Sequence, residues 1–236
     1  MVLDEQVKLM ALDAWFKTPQ GQHVAEAFTS ELKKSDGALS GRRLLQLGVC
    51  GDNSWLSALH FRQKWLVSPM PSVACSVTCI SSVLALPVAR NSIDCVLAPL
   101  TLEACSRNKH PLDEIDRVLK PMGYVIILGV NPWSFWGAAC HLQRACFAKN
   151  RATLRSSLSV KHALLNRGYR QCFLSSFYYI PPIKQEKIIH KLEFLNQMGK
   201  MIWPYPAGFY CFIAQKYDPC MLPLQMQQQD LYLARA

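Results

Sequence analysis

The amino-terminal residues carry apolar side chains at helical spacing. Thr18 and Pro19 are typical of an N-cap followed by proline at the first helical position. After them, apolar residues return every three or four positions: Val24, Ala25, Phe28 and Leu32. We therefore expect residues 1–36 to be helical and to form an amino-terminal cap on the rest of the chain.

Apolar runs of strand length alternate with amphipathic segments in the rest of the chain. Strands are predicted at 44–48, 63–68, 76–82, 93–97, 124–129, 172–179 and 209–214. Helices are predicted to begin at Ser54, to cover 111–119 ahead of a stop at 120–123, to run from a cap at Ser159 to Gly168, and to cover 184–198. This alternation predicts an α/β fold whose sheet is mostly parallel and covered by helices on both faces.

The first predicted strand runs into the turn GVCGDN at 48–53. In an open α/β sheet, ligands bind beyond the carboxyl ends of the strands, so this turn marks the predicted site. A glycine there allows the backbone to approach a ligand closely. A single glycine turn also occurs at ordinary strand ends, so the residues alone leave a structural role open. The full Gly-x-Gly-x-x-Gly pattern is absent, which disfavours a nicotinamide-dependent oxidoreductase.

Length and cysteine content limit the kind of protein. The 236 residues are enough for one α/β domain, which we place at 1–217, with a Gln-rich mobile tail at 218–236. Asp4 and Glu5 interrupt the amino terminus, so we expect no signal peptide and a cytoplasmic protein. The ten cysteines lie mostly in apolar runs, as reduced thiols do. Only Cys75 and Cys79 are close in sequence, so no metal site is predicted.

Charge is distributed unevenly along the chain. There are 26 Lys and Arg against 16 Asp and Glu, and the segment 117–185 contains no acidic residue. This basic band contains ten cations: Arg117, Lys120, Arg144, Lys149, Arg151, Arg155, Lys161, Arg167, Arg170 and Lys184. A band of one sign recruits anions, which favours an acidic metabolite, RNA or anionic lipid as partner. A solvated face that only aids solubility is the alternative.

One uncharged segment is long enough to be tested as a membrane span. Residues 121–143 contain no charged side chain, yet Asn131 and Pro132 interrupt them. We read the segment as a buried strand, a turn and a second element, with no transmembrane helix. The aromatic and basic residues of 133–151 leave peripheral membrane contact as an open alternative.

The residues that surround the turn resemble a known family. "LLQLG" at 44–48, "ALPVARNSIDCVLAPLTLE" at 85–103 and "LDEIDRVLKPMGYVIILGVNPWSFWG" at 112–137 are similar to class I S-adenosylmethionine-dependent methyltransferases of the type 11 group. The chain most resembles a bacterial subgroup with "LLQLG" in the first strand and "NPWSxWG" after the fifth; "WFKTPQGQ" at 15–22 fits the same subgroup. The resemblance covers about residues 12–216.

The resemblance implies a fold, a cofactor and a set of site residues. The fold is a Rossmann-like sheet of seven strands in the order 3-2-1-4-5-7-6, and the cofactor is S-adenosylmethionine. The positions that match the cofactor site are Gln46, Gly48, Cys50 and Gly51 at the turn, Ser82 and Val83 (with Ser81 before them) near the adenine, and Ala98 and Pro99 at the end of strand four. The resemblance also places Leu100 at the methyl-transfer cleft. From their positions after strands four and five we add Glu103, Asn131 and Trp133 to the substrate side, with a hydrophobic plug as the alternative for the aromatic residues after strand five.

This chain departs from the family pattern at the turn. The usual loop is an acidic residue, x, Gly, x, Gly, x, Gly, whereas here Gln46 replaces the acid and only Gly48 is in place, with Gly51 one residue out of step. No acid that could bind the ribose hydroxyls lies between 63 and 70. A non-catalytic interaction module that has lost the cofactor is therefore the alternative to a methyltransferase acting on a small or anionic substrate.

For four further residues we also consider a structural role. Asp94 is interpreted as a turn or cap residue. Glu103 is either a substrate contact or a solvated helix residue. His23 and His141 are interpreted as packed or exposed, not catalytic.

Overall fold

Seven strands form one sheet at the centre of the protein. The computed structural model describes residues 2–35, 39, 41–70, 77–105, 111–142, 154–183, 185–196 and 206–217. The strand order is β3-β2-β1-β4-β5-β7-β6, the order that the resemblance implied. The strands are β1 Arg43–Leu47, β2 Gln63–Ser68, β3 Cys79–Ile80, β4 Ile93–Pro99, β5 Leu119–Val130, β6 Tyr169–Phe177 and β7 Phe209–Lys216.

The first five strands in the chain are parallel and the last two complete the sheet in antiparallel pairing. β1 pairs in parallel with β2 and β4, β2 with β3, and β4 with β5. β7 runs antiparallel to both β5 and β6. Because β7 is antiparallel, its first residue, Phe209, lies beside Val130 at the edge where the parallel strands end. The carboxyl ends of β1, β4 and β5 and the start of β7 therefore share one edge.

Seven α-helices and one short 3₁₀ helix are described. They are α1 Val2–Phe16, α2 Pro19–Lys33, α3 Thr101–Ala104, α4 Pro111–Val118, α5 Phe135–His141, α6 Ser157–Leu165, α7 Glu186–Lys191 and the 3₁₀ helix Ser54–Ala58. No helix among the described residues is long and apolar enough to cross a membrane.

The predicted amino-terminal helices are confirmed, including the cap between them. The Thr18 side chain accepts a hydrogen bond from the Gly21 amide at 3.2 Å, and Pro19 is the first residue of α2. The Thr18 hydroxyl also donates to the Trp15 carbonyl at 2.6 Å, so one side chain joins the end of α1 to the start of α2. The predicted apolar face of α2 is buried.

Two predicted elements in the first half of the sheet are shorter than expected. The helix predicted from Ser54 is only the 3₁₀ helix Ser54–Ala58. Of the strand predicted at 76–82, only Cys79–Ile80 pairs with β2. β3 is the edge strand of the sheet and pairs with β2 alone, so few partners extend its pattern.

Further element boundaries differ from the prediction. The strand predicted at 172–179 is β6, Tyr169–Phe177, so it begins three residues earlier and ends two residues earlier. α4 ends at Val118 and β5 begins at once, because Leu119 pairs with Ile93 before a bulge that carries Met122 at a φ of 62°. Ser156, not Ser159, caps α6; its hydroxyl accepts from the Ser159 amide at 3.2 Å. The helix predicted at 184–198 is described only as α7, and residues 197–198 and the tail 218–236 lie outside the described residues.

α1 crosses the edge where the parallel strands end. Its Trp15 ring lies 5.7 Å from the Trp136 ring and 6.3 Å from the Phe209 ring. The next residue, Phe16, packs edge-on against Trp55 at 5.3 Å. The amino-terminal cap therefore covers the carboxyl edge from the β1 turn to the start of β7.

Candidate functional site

The turn after β1 uses a left-handed backbone at both of its glycines. Gly48 has a φ of 88° and Gly51 a φ of 57°. The Gly48 amide donates to the Val67 carbonyl at 2.7 Å, so the turn is held against the end of β2. A left-handed backbone is strained for residues with a Cβ atom, which explains why glycine occupies both positions.

Gln46 holds the turn from inside the protein. Its side-chain amide nitrogen donates to the Gly48 carbonyl at 2.9 Å and also to Asn53 Oδ1. Its side-chain oxygen accepts from Trp55 Nε1 at 2.9 Å. Gln46 is fully buried, so its side chain braces the turn and does not line the cleft described next.

A cleft of about 340 Å³ lies beside this turn, at the carboxyl ends of β1 and β2. Small-molecule sites typically occupy about 300–1,000 Å³, so the cleft is at the lower end of that range. We call it the edge cleft. Three segments supply its walls: α1 with Gln6, Leu9, Met10, Asp13, Ala14 and Lys17, the turn with Val49, and the end of β2 with Ser68, Pro69 and Met70.

α1 supplies most of this wall, which the sequence did not indicate. Asp13 accepts a hydrogen bond from the Gly51 amide at 2.9 Å and forms an ion pair with Lys17 at 2.7 Å. Leu9 lies over the other glycine, because a Cβ atom added to Gly48 would be 3.2 Å from Leu9 Cδ2. The only signal in the sequence was the helical pattern of residues 1–36, which carries no motif for a ligand.

At the end of β2, a hydroxyl stands where the family places an acid. Ser68 is the last residue of β2 and lines the edge cleft. Its side-chain oxygen accepts a hydrogen bond from the Met70 amide at 3.3 Å. A ligand hydroxyl that lies here meets a neutral group, and neutral hydrogen bonds are worth about half as much as charged ones.

Cys50 fills the gap between the β1 turn and the end of β4. Its Sγ lies 3.8 Å from the Pro99 carbonyl oxygen, and the side chain is buried. Burial, followed by the nearby charge of Asp13, raises the pKa of the Cys50 thiol well above its ordinary value. The thiol is therefore protonated, and it narrows the space between the two strand ends.

The end of β4 lies against the β1 turn, as the topology requires. Ala98 is buried, and Leu100 has a φ of 52°. The Thr101 hydroxyl donates to the Leu47 carbonyl at 2.8 Å, which joins the two strand ends. Pro99 and Cys50 are thus brought together. None of the residues predicted for the cofactor lines the edge cleft itself, although Gly48 and Gly51 lie on either side of its lining residue Val49.

The two residues assigned to the adenine lie after β3. Ser82 accepts a hydrogen bond from the Leu84 amide at 3.2 Å, and Val83 is buried. Neither lines the edge cleft. Their assignment stays a prediction.

Glu103 is buried, so its interpretation as a solvated helix residue is wrong. Only 1% of its surface is exposed, and one carboxylate oxygen accepts from the Val130 amide at 3.2 Å. The other oxygen has no hydrogen-bond partner among the residues that the structure describes. Burial raises the pKa of Glu103 to about 7, although the nearby Arg155 charge acts in the opposite direction. Glu103 is close to half protonated at neutral pH.

The aromatic segment after β5 divides into an exposed and a buried part. Asn131 Oδ1 accepts from the Trp133 amide at 3.2 Å, so this side chain shapes the turn. Trp133 is 83% exposed. Trp136 is buried and donates from Nε1 to the Ile180 carbonyl at 2.8 Å. The structure does not bring Trp133 to the edge cleft.

Asp94 has the structural role that the sequence predicted. Its carboxylate accepts from the Arg42 and Arg43 amides at 3.0 and 2.8 Å, and pairs with Lys120 at 2.6 Å. These contacts join the starts of β1, β4 and β5, at the opposite edge from the cleft.

The basic band is partly neutralised where it is described. Three of its cations pair with carboxylates: Arg117 with Glu114 at 2.9 Å, Lys120 with Asp94 at 2.6 Å, and Arg167 with Asp113 at 2.7 Å. Arg144, Lys149, Arg151 and Lys184 lie outside the described residues. The described part is therefore not a uniform positive surface. No group of three or more metal-ligating side chains occurs in the described ranges.

Comparisons with known proteins agree with this architecture. Residues 59–127 match the family model described as a methyltransferase domain. A curated relative, the uncharacterized protein YafS of Escherichia coli (strain K12), is 32% identical over 132 residues, which is 55% of this chain. The match spans about half (52%) of that relative's length.

Solved structures show the same fold at low sequence identity. One is an S-adenosylmethionine-dependent methyltransferase of Thermotoga maritima, described as a possible histamine N-methyltransferase. It covers 92% of this chain and 100% of its own, with a TM-score of 0.61 and 18% identity. Another is the [4+2]-cyclase SpnF, with coverage of 80% of each chain, a TM-score of 0.55 and 16% identity. The protein therefore has the Rossmann-like fold of class I methyltransferases.

Proposed function

We propose that this chain, which has the class I methyltransferase fold, binds S-adenosylmethionine in the edge cleft and transfers its methyl group to a small or anionic acceptor. The observation that carries the proposal is the position of the cleft. It lies where β1 and β2 end, beside a turn with two left-handed glycines. Ligands of doubly wound sheets bind at this kind of edge.

The residues of the cleft suit such a cofactor in shape and charge. Leu9, Met10 and Met70 offer an apolar wall, Ser68 offers a hydroxyl, and Asp13 offers carboxylate oxygens, with its charge balanced by the ion pair to Lys17. Among the described residues, and apart from the chain neighbours of Gly48, the atom within 4 Å of a Cβ added to Gly48 belongs to the flexible Leu9 side chain. Rotation of that side chain would let a ligand approach the Gly48 backbone.

The same residues predict weaker binding than a complete family loop would give. Ser68 replaces a charged ribose acceptor, which removes about 1 kcal/mol, or roughly a factor of five in affinity. The Cys50 side chain narrows the space between the β1 turn and the end of β4, because its Sγ lies 3.8 Å from the Pro99 carbonyl oxygen. We therefore expect a dissociation constant in the micromolar range or above.

The chain's own contribution to methyl transfer is alignment and exclusion of water. S-adenosylmethionine supplies an activated methyl group when it is bound, so no metal or nucleophilic triad is needed. We assign α1 to close the edge cleft from solvent and the turn at 48–51 to position the cofactor. Leu100, Glu103, Asn131 and Trp133 stay our proposed acceptor side. One oxygen of Glu103 has no hydrogen-bond partner within the described part of the chain, which suits a proton acceptor.

A non-catalytic interaction module is the second candidate, and the contact of Cys50 with Pro99 favours it. Gln46 stands at the position of the acid in the family loop, and its side-chain amide makes its hydrogen bonds to other residues of the protein. The cyclase SpnF has the same fold, and a fold by itself does not determine a reaction. Titration with S-adenosylhomocysteine separates the candidates, because the module predicts no heat at millimolar ligand.

The Gly48→Ala variant tests the position of the proposed cofactor site. A Cβ atom there adds about 1–2 kcal/mol of left-handed strain, which lowers stability. The same atom occupies the space beside Leu9 through which a ligand would approach the Gly48 backbone, so affinity for S-adenosylhomocysteine should fall at least tenfold. Gly168→Ala is the matched control, because Gly168 has a φ of 81° at the end of α6, away from the cleft. It should lose similar stability but keep wild-type affinity in calorimetry. Equal affinity in the two variants would contradict the assignment of the cleft.

A further inference from the structure

A second and larger cavity, of about 470 Å³, lies between α2 and the segment that follows β6. Glu26 and Glu31 of α2 form one wall, and Tyr178 and Tyr179 form the other. Glu193 lines it as well. None of its lining residues lines the edge cleft, so the two cavities are separate.

The charge of this cavity is opposite to that of the whole chain. Glu26, Glu31 and Glu193 bring three carboxylates. The basic side chains among the lining residues are Lys34, which forms an ion pair with Glu31, and His23, whose Nδ1 lies 3.7 Å from Glu26 Oε2. The chain as a whole has a formal net charge of +10. A concave site with an excess of carboxylates favours a cation, because its low-dielectric walls focus the field.

Two buried polar atoms in the walls have no hydrogen-bond partner among the described residues. They are the Tyr178 hydroxyl and one carboxylate oxygen of Glu31, on side chains whose residues are only 3% and 5% exposed. Native proteins satisfy nearly all buried polar groups, since an unpaired one costs about 1–3 kcal/mol. A ligand with N–H donors would satisfy both.

The wall that carries Tyr178 is held in a strained backbone conformation. Tyr178 has a φ of 65°, which is unusual for a bulky residue and is concentrated at functional sites. The Gly208 amide donates to its carbonyl at 2.8 Å. The next amide, that of Tyr179, donates to Asn196 Oδ1 at 2.8 Å. These hydrogen bonds fix the backbone at Tyr178, and its ring packs edge-on against Trp136 at 5.9 Å and Phe209 at 6.0 Å.

Burial and neighbouring carboxylates both act on the tyrosine hydroxyl. Burial, followed by the negative charges of Glu193 and Glu26, raises the pKa of Tyr178 above its ordinary range. The hydroxyl therefore stays protonated at neutral pH.

We propose that this cavity binds an organic ammonium ion with an apolar or aromatic body. The ammonium group would donate to Glu31 and to the Tyr178 hydroxyl, and the rings of Phe177 and Tyr179 would contact the apolar body. The site is independent of the cofactor proposal, because it shares no residue with the edge cleft.

Calorimetry with 2-phenylethylamine and with its neutral counterpart 2-phenylethanol tests the proposal. The two probes have nearly the same shape and differ in charge at neutral pH. We expect the amine to bind at least tenfold more tightly to the full chain. Equal binding of the two probes, or no binding of the amine at millimolar concentration, would overturn the proposal.

Variants at the carboxylates and the tyrosine make the test specific. Glu31→Gln and the exposed Glu26→Gln should each weaken amine binding severalfold; the second keeps the test valid if the first fails to fold. Asp113→Asn removes one charge outside the cavity and should change nothing. Unchanged affinity in both glutamine variants would contradict the site.

Tyr178→Phe distinguishes a ligand contact from a structural role. Its hydroxyl has no partner among the described residues, so its removal should weaken amine binding without lowering the unfolding midpoint. A lower midpoint with unchanged affinity would overturn the assignment. Gly48→Ala should keep amine affinity, and a loss there would move the amine to the edge cleft.

Discussion

Glu103 shows how a single residue can couple the stability of the protein to pH. It is an acid in the turn of helix after β4, and its surroundings are Val130, Arg155 and Tyr210. Burial raises its pKa from 4.5 to about 7. The folded state therefore holds a proton that the unfolded state releases above about pH 4.5.

The sign of the resulting pH dependence follows from that difference. Between about pH 4.5 and pH 7 the folded state binds the extra proton, so the contribution of Glu103 to stability falls as pH rises. The loss amounts to about 3 kcal/mol across that window. Glu103→Gln keeps an acceptor for the Val130 amide but has no titration.

Urea unfolding at pH 5 and pH 7.5 measures this effect. The wild-type protein should lose free energy of unfolding relative to Glu103→Gln as the pH rises. Parallel pH profiles in the two proteins would mean that Glu103 titrates normally.

At the scale of elements, the junction of α1 and α2 orders the cap over the site. Thr18 accepts from Gly21 and donates to the Trp15 carbonyl, so it joins the two helices beside the ring cluster of Trp15. Asp13 and Leu9 reach the glycine turn from the same helix. A loose junction would therefore loosen the wall of the edge cleft.

Thr18→Ala should lower the free energy of unfolding by about 1 kcal/mol, the usual cost of losing an N-cap. Thr29→Ala makes the same chemical change inside α2, where the hydroxyl only donates to the Ala25 carbonyl at 2.7 Å. That control should be neutral or slightly stabilising, because alanine is the better helix former. Urea unfolding curves compare the two, and equal losses would argue against the cap.

At the scale of the whole molecule, α1 links the two halves of the sheet. It contacts the β1 turn at one end of the carboxyl edge, and Phe209 of β7 and Trp136 of α5 at the other. Ligand binding under α1 should therefore stabilise a helix that is remote in sequence from the glycine turn.

Hydrogen exchange with and without S-adenosylhomocysteine tests this link. At a ligand concentration 100 times the dissociation constant, the amides of α1 should exchange up to about 100-fold more slowly, which corresponds to about 2.7 kcal/mol. The amides of α6 (Ser157–Leu165), which lies away from the cleft, should change little in comparison. Protection confined to α6, with none in α1, would contradict ligand binding in the edge cleft.

Much of the architecture could be predicted from local patterns. The strand at 44–48, the Thr18 cap, the α2 face and the strand order implied by the resemblance all appear in the structure. The boundaries that were wrong depend on pairing. Leu119 became strand only because Ile93 lies beside it, and the strand at 76–82 shrank to two residues at the edge of the sheet.

The candidate site was only partly predictable, because its walls come from segments far apart in the chain. The glycine turn was evident from its residues, but Leu9, Asp13 and Ser68 carry no motif and meet only through α1 and β2. The protonation of Glu103 was hidden because it depends on burial and on Val130 and Arg155, which are distant in sequence. The role of Gln46 was hidden because it depends on burial and on the fold of the turn, which brings Trp55 to its side chain.

The sequence by itself determined where strands, helices and a left-handed turn would form, because hydrophobic period, caps and glycines act over a few residues. The tertiary structure alone decided which side chains line the two cavities and which carboxyl groups are ionised. Those properties arise from burial and neighbours, as at the edge cleft and in the acidic cavity between α2 and β6. A chain with a net positive charge thus contains a cavity with an excess of carboxylates.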